Sequence, residues 1–191
     1  MYKIINSFFN EEEINIILNN IKETEDSGVG KVYRQTGRKL IGLDNLNKNI
    51  TDKVEAYVNN TYNKKLIVKD IGFMRFKKEY GTPKLLPHKD DYACEVVFDY
   101  QVRTNKKWDL FIEGNKIELL DNDAVCFEGE QEAHWREKTL FNDDEFVEMI
   151  CFNCIGEGHW RHTMDVNPKN EIEQAKQTQQ VFKDWSYIYN G

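Results

Sequence analysis

The sequence predicts an α+β fold: two N-terminal helices packed on one sheet of a double-sheet jelly roll, with a last helix closing the chain. Three observations lead there. Apolar residues recur at helical spacing in two stretches before Asn63. From Leu66 onward the chain becomes a series of short β-rich runs separated by turn residues. Two of the later segments, Pro87-His88-Lys89-Asp90 and Ala133-His134-Trp135-Arg136, carry polar side chains whose spacing suits strands that return across a small barrel.

Asn10-Glu11-Glu12-Glu13 has the form of a helix start. Asn10 is the cap, Glu13 reaches back to it, and Phe9 with Ile14 forms the hydrophobic staple. Ile14, Ile17, Leu18 and Ile21 then supply one apolar stripe. A second helix is expected over Asn49–Thr61, with Ile50, Val54, Tyr57 and Val58 on one side. Strands are expected over Leu66–Ile71, Gly72–Lys78, Ala93–Val102, Trp108–Glu113, Lys116–Leu119, Ala124–Phe127 and Phe146–Ile155. Glu113-Gly114-Asn115-Lys116 reads as a tight hairpin turn. Asn167-Pro168 suits the cap and first position of the last helix.

At 191 residues the chain can bury a substantial core and reads as one domain, 1–191. Helical support is expected over 1–62, the jelly-roll core over about 66–156 and the C-terminal helix over 167–183. The net charge of −7 argues against a nucleic-acid backbone as the main partner, because phosphate contacts need clustered Lys and Arg. No apolar run approaches a membrane span, and Met1-Tyr2-Lys3-Ile4-Ile5-Asn6 lacks the long apolar stretch of a secretory signal, so a cytoplasmic protein is expected. Cys151-Phe152-Asn153-Cys154 has CxxC form, but residues three apart on a strand face opposite ways, and no second CxxC completes a zinc site.

His88 and Asp90, two apart on an extended chain, point to the same side. His134 follows His88 by 46 residues. Two histidines and one carboxylate on one face of a metal leave the opposite positions open, which is how proteins hold non-haem Fe(II) for oxygen chemistry.

Other segments fall around this set in a telling order. Tyr2 to Phe9 precedes the Glu-rich helix, and Phe73-Met74-Arg75-Phe76 precedes Tyr80-Gly81 and His88-x-Asp90. Trp108-Asp109-Leu110-Phe111-Ile112 and Asp121 to Gly129 precede His134-Trp135-Arg136-Glu137. Together they resemble the Fe(II)- and 2-oxoglutarate-dependent dioxygenases of the prolyl-hydroxylase-like branch, and the last is similar to an HWRE element in a subgroup of small members. The resemblance covers most of the chain and implies a double-stranded β-helix core of cupin-like type. It also implies that His88, Asp90 and His134 are the metal ligands, with His159 and His162 left as tail residues.

The cosubstrate's far carboxylate needs a buried cation, ideally the fork of an arginine. The family pattern puts a Lys or Arg about ten residues after the distal histidine, but this chain has Asn142-Asp143-Asp144-Glu145 there. Two replacements are considered. Arg136 shares the inward face of His134, and Arg103 follows Asp90 by thirteen residues, where the asparagine-hydroxylase branch carries a lysine. Tyr80 and Tyr100 can hydrogen-bond the same carboxylate, with aromatic packing as the alternative role.

The resemblance implies Fe(II) and 2-oxoglutarate as cofactors, O2 as co-reactant and ascorbate as a possible reductant. Decarboxylation to succinate and CO2 would be coupled to hydroxylation of a peptidyl or free amino-acid residue, prolyl among them, or of a small metabolite. Trp135, Trp108 and the Arg34–Arg38 stretch border a substrate groove in this reading; the alternative is core for the tryptophans and a mobile loop for the stretch. Two other classes stay open: a jelly-roll metalloprotein that does not use 2-oxoglutarate, and a non-catalytic binding module.

Overall fold

Strand β1 (Lys3–Ile5) leads into helix α1 (Glu11–Asp26), which begins where the sequence places it. In the computed structural model, which describes residues 1–90 and 94–156, the Glu13 N–H donates to the Asn10 side chain at 2.9 Å. The Asn10 N–H donates to the Glu13 carboxylate at 2.8 Å, completing the capping box. Three glutamates in the first turn suit the positive end of the helix dipole. The helix buries Ile17 and Ile21.

Strands β2 (Lys31–Tyr33) and β3 (Arg38–Gly42) follow, neither of them expected. Helix α2 (Lys48–Tyr62) buries Ile50, Val54 and Val58, and ends on Asn63 at φ 50°, where the left-handed conformation suits an asparagine. The remaining strands are β4 (Leu66–Lys77), β5 (Leu85–His88), β6 (Val96–Thr104), β7 (Leu110–Ile112), β8 (Asn115–Ile117), β9 (Ala124–Phe127), β10 (His134–Arg136) and β11 (Phe146–Gly156). Of the helix boundaries and strands expected, Ala124–Phe127 matches to the residue. The two strands expected over Leu66–Lys78 are one, because Gly72 does not break the chain. A Cβ there would sit 3.2 Å from Leu40 Cδ1, so the glycine admits the neighbouring strand's side chain.

Seven strands form one antiparallel sheet in the order β1-β9-β6-β11-β4-β3-β2, and four form a second in the order β5-β10-β7-β8. Glu113 and Gly114 close the β7–β8 hairpin at φ 48° and 78°, the two positive values of a type I′ turn. Sheet parity then sorts the side chains. Ile150, Phe152 and Cys154 of β11 join the helix-side core with Phe98, Tyr100, Val54 and Ile17. Met149, Cys151 and Asn153 face the space between the sheets. Cys151 and Cys154 therefore point to opposite faces, as the spacing requires, and neither forms a disulfide.

The architecture is the jelly roll expected, with helices on the larger sheet. The expected helix over 167–183, with His159 and His162, lies outside the described residues. Among those described, no helix is long and apolar enough to cross a membrane. Phe152 is fully buried, edge-on to Phe98 at 6.0 Å between centroids. Phe152→Ala should lower the unfolding free energy by about 3–5 kcal/mol, and Asn10→Ala by about 1 kcal/mol, in urea titrations followed by circular dichroism.

Candidate metal centre

The register between β5 and β10 sets His134 directly opposite His88. Both imidazoles therefore project from neighbouring strands into the space between the sheets, with ring centroids 4.2 Å apart. Asp90 lies just past the end of β5, where its N–H donates to the Gly129 carbonyl at 2.9 Å. Its two carboxylate oxygens lie 3.6 Å from His88 Nε2 and 3.5 Å from His134 Nε2. One ligand atom from each residue lies within 4.8 Å of the other two.

The far side of each ring is fixed. His88 Nδ1 is 2.8 Å from the Leu86 carbonyl, and His134 Nδ1 is 3.1 Å from the Glu132 carbonyl. A carbonyl only accepts, so each Nδ1 carries the proton in the neutral ring and each Nε2 presents a lone pair. With both rings neutral, two lone pairs and a carboxylate converge, which is a donor set that fits a divalent cation. Burial alone would lower the His88 pKa, but the Asp90 carboxylate beside it raises it. Burial lowers the His134 pKa to about 4, helped by His88, so this ring is neutral at physiological pH. Burial alone would raise the Asp90 carboxyl, but the neighbouring histidines and Arg38 outweigh it and hold it below its ordinary value.

Behind Asp90 there is no spare room. A Cβ on Gly129 would lie 2.7 Å from the Asp90 Oδ2 atom and 2.7 Å from the Cys94 carbonyl oxygen. Only glycine lets the chain pass here with the carboxylate in place.

The triad opens into a cavity of about 420 Å³, walled by Leu85, Val97, Phe127 and Met149 among others. Arg136, on the same inward face as His134, is 2% exposed and lines this cavity. Its guanidinium donates to the Trp108 carbonyl, lies over the Trp108 ring at 5.1 Å and approaches Met149 Sδ at 3.9 Å. Burial pushes its pKa down to about 10, which leaves it cationic at neutral pH. Asp99 of β6 shares the cavity, and burial raises it to about 6, against the pull of Arg136. The inward residues of β11 on this cavity are Met149, Cys151 and Asn153, so the strand that follows the distal histidine offers it no cation.

The other three proposed cosubstrate contacts are held elsewhere. A register shift between Glu148 and Met149 pairs Arg103 with Glu148 rather than continuing the inward series of Asp99 and Gln101. Arg103 Nε donates to Glu148 Oε2 at 2.5 Å, while Glu148 Oε1 accepts from Arg75 and Arg75 also grips Glu25. Arg103 thus belongs to an ion network on the helix-bearing face and does not line the cavity. Tyr80 sits in a 3-10 turn, Lys78–Tyr80, beside Arg75 and Glu79, also off the cavity. Tyr100 is buried against Phe9 at 4.8 Å, in the packing role. Trp135 and Trp108 are core residues, the first stacked on Phe111 at 5.3 Å and the second edge-on to Phe76 at 4.8 Å.

Sequence reasoning missed Asp99, Gly129 and the inward residues of β11, and reached Arg38 only as the end of the Arg34–Arg38 stretch beside a substrate groove. Asp99 had a signal: it is a lone charge within Val96-Val97-Phe98-Asp99-Tyr100, a run otherwise built for burial. Arg38 had a weaker one, the alternation Arg38, Leu40, Gly42 on what proved to be a strand.

No family model matches the sequence, and no curated protein matches it either. Solved structures match by fold. The non-heme α-ketoglutarate-dependent epimerase SnoN from nogalamycin biosynthesis superposes with a TM-score of 0.65 at 8% identity, over 81% of this chain and 78% of its own. A Trichoplax adhaerens prolyl hydroxylase, solved with a hypoxia-inducible-factor peptide fragment, gives 0.60 at 13% identity, over 85% and 87%. HygX from Streptomyces hygroscopicus, solved with nickel and 2-oxoglutarate bound, gives 0.62 at 8% identity, over 82% and 83%. At these identities the likeness establishes a common jelly-roll fold.

Gly129→Ala should weaken Fe(II) or Ni(II) binding at least tenfold by displacing Asp90, while the metal-free protein still melts cooperatively; calorimetric titration of metal into the variant checks this. Asp99 gives a pH test. Its folded pKa lies above its unfolded value of 3.8, so its contribution to stability is complete below that value and is lost as pH rises through about 6. Asp99→Asn should therefore stabilise the metal-free protein by on the order of 2 kcal/mol more at pH 8 than at pH 4, measured by denaturant titration.

Proposed function

We propose that the protein is an Fe(II)- and 2-oxoglutarate-dependent dioxygenase, coupling oxidative decarboxylation of 2-oxoglutarate to hydroxylation of a substrate. The observation that carries the reading is the pair of Nδ1-anchored histidines converging with Asp90 in a cavity that also holds a buried arginine. Relatives of the same fold support it, since one is a prolyl hydroxylase and another was solved with nickel and 2-oxoglutarate. Their reactions suggest amino-acid side chains, prolyl included, or small natural products as the substrate class.

In this reading His88, Asp90 and His134 hold the metal through two Nε2 atoms and a carboxylate oxygen. Fe(II) bound there supplies the activation of O2 needed to oxidise an unactivated C–H bond. The chain's own work is positioning. The Leu86 and Glu132 carbonyls keep both imidazoles in the ligating tautomer, and Gly129 leaves space for the Asp90 carboxylate. Arg136 receives the far carboxylate of 2-oxoglutarate from the strand of the distal histidine, in place of a cation on β11. Leu85, Val97 and Phe127 give the cavity apolar wall, which limits water around the reacting centre. No side chain is required as an acid or base.

The absence of a cation among the β11 residues on the cavity supports a second reading, a jelly-roll metalloprotein that binds metal but not 2-oxoglutarate. Variants separate the two. His134→Ala should abolish Fe(II)-dependent succinate formation with the circular dichroism spectrum retained. Arg136→Ala should raise the 2-oxoglutarate concentration needed for half-maximal turnover at least tenfold while metal affinity stays unchanged, and Arg103→Ala should change neither. Succinate release by His134→Ala at the wild-type rate would reject the ligand assignment.

A further inference from the structure

The cavity holds a second arginine that the proposed reaction does not use. Arg38 opens β3 and points with Leu40 and Gly42 into the space that contains His88, Asp90 and His134. Its Nε is buried and has no hydrogen-bond partner. The acceptor its guanidinium does reach is a thioether, Met74 Sδ, at 3.4 Å from Nη1. Its plane rests over the Tyr33 ring, 5.4 Å from the centroid. Among the described residues no carboxylate lies within ion-pair distance of it, and Asp90 acts on it only at longer range. A guanidinium has five N–H donors, and leaving them against sulfur and an aromatic face is costly in a partly desolvated site.

This arginine is held in place. Gly37, at φ +61°, is packed so closely that a Cβ would stand 2.5 Å from the Pro83 nitrogen. Gly81, at φ +130°, leaves room for the Arg34 carbonyl, which a Cβ would meet at 2.2 Å. The Lys77 N–H donates to the Gly37 carbonyl and the Lys84 N–H to that of Thr36. The stretch expected to be a mobile loop is thus clamped to the segment that runs into β5 and the first histidine. A rigid cation fixed relative to the candidate metal site, with no anion paired to it among the described residues, is suited to an anion that arrives with a ligand.

We propose that Arg38 determines specificity by binding a carboxylate on the substrate. The proposal rests on the reading above in one respect: Arg136 takes the cosubstrate carboxylate, so Arg38 is left for a second anion. The cavity selects the kind of anion. Asp44, Asp70, Asp90 and Asp99 also line it, and they oppose a dianionic phosphate more strongly than a single carboxylate. At about 420 Å³ the cavity lies at the small end of ligand sites and must also admit 2-oxoglutarate. The substrate is then a small free carboxylic acid, a free amino acid being one such molecule, rather than an internal residue of a polypeptide.

The test uses the full chain without metal, so it does not depend on the oxygenase chemistry. Sodium propionate is titrated into 15N-labelled protein, with propionamide as the uncharged control. The Arg38 Nε–H resonance, identified by its loss in the charge-conserving Arg38→Lys, should move saturably with propionate and not with the amide. Arg38→Gln should lower propionate affinity about tenfold or more, its amide spectrum reporting whether the fold is kept. Equal response to acid and amide, or no response of the Arg38 resonance, overturns the proposal, and the wild-type titration decides this even if the variant fails to fold. A companion measurement is anaerobic 2-oxoglutarate binding to the Fe(II)-loaded protein. Arg38→Gln should bind it within about twofold of wild type; a tenfold loss would make Arg38 the cosubstrate anchor and overturn the assignment. If wild type itself binds no 2-oxoglutarate, the oxygenase reading fails while the propionate result stands by itself.

Discussion

The pairing register of β5 and β10 is the constraint on which the rest of the site depends. It puts His134 opposite His88, and a slip of one residue would turn one of the two imidazoles out of the barrel. That register is specified from both sides. Trp135, between His134 and Arg136, stacks on Phe111 of β7, while Leu110 and Ile112 of that strand join the inner core with Val97, Val125 and Phe127. The apolar alternation that builds the smaller sheet therefore also aims His134 and Arg136 inward.

The cavity's polarity follows from the same parity. The larger sheet contributes Arg38, Asp99, Met149 and Cys151 from alternate positions, and the smaller sheet faces them with His88, His134 and Arg136. Two cations and several carboxylates share a partly dry space, where each would be costly alone. Arg136 has Asp99, the Trp108 carbonyl and the Trp108 ring for company, whereas Arg38 has a ring and a thioether. This asymmetry separates an arginine oriented by an oxygen acceptor of the barrel from one that has none among the described residues. It is also the basis for giving the two arginines different partners.

Much of this was legible in the sequence. The Asn10 capping box, the Glu113-Gly114 hairpin and the opposite facing of Cys151 and Cys154 depend on rules that act over three or four residues, and all three appear in the structure. The grouping of His88, Asp90 and His134 needed only strand parity and order along the chain. Arg38 was read only as the end of a stretch beside a substrate groove; its inward strand position was hidden because β3 is a strand by virtue of pairing with β4, not by its own composition. Arg103 could not be placed from its distance to Asp90, because a register shift opposite β11 moves it to the helix-bearing face. Gly129 carried no local signal at all; its role is a close approach to Asp90, a residue distant in the sequence.

The central claim is that the triad and Arg136 form one site for a metal and a keto acid together. Anaerobic absorption titration of the purified protein, first with Fe(II) and then with 2-oxoglutarate, addresses it directly. A visible charge-transfer band that appears only when both are present, and saturates at one equivalent of each, is the predicted result. Metal binding with no band on addition of 2-oxoglutarate would contradict the account, and leave a jelly-roll metalloprotein with a different partner for its buried arginine.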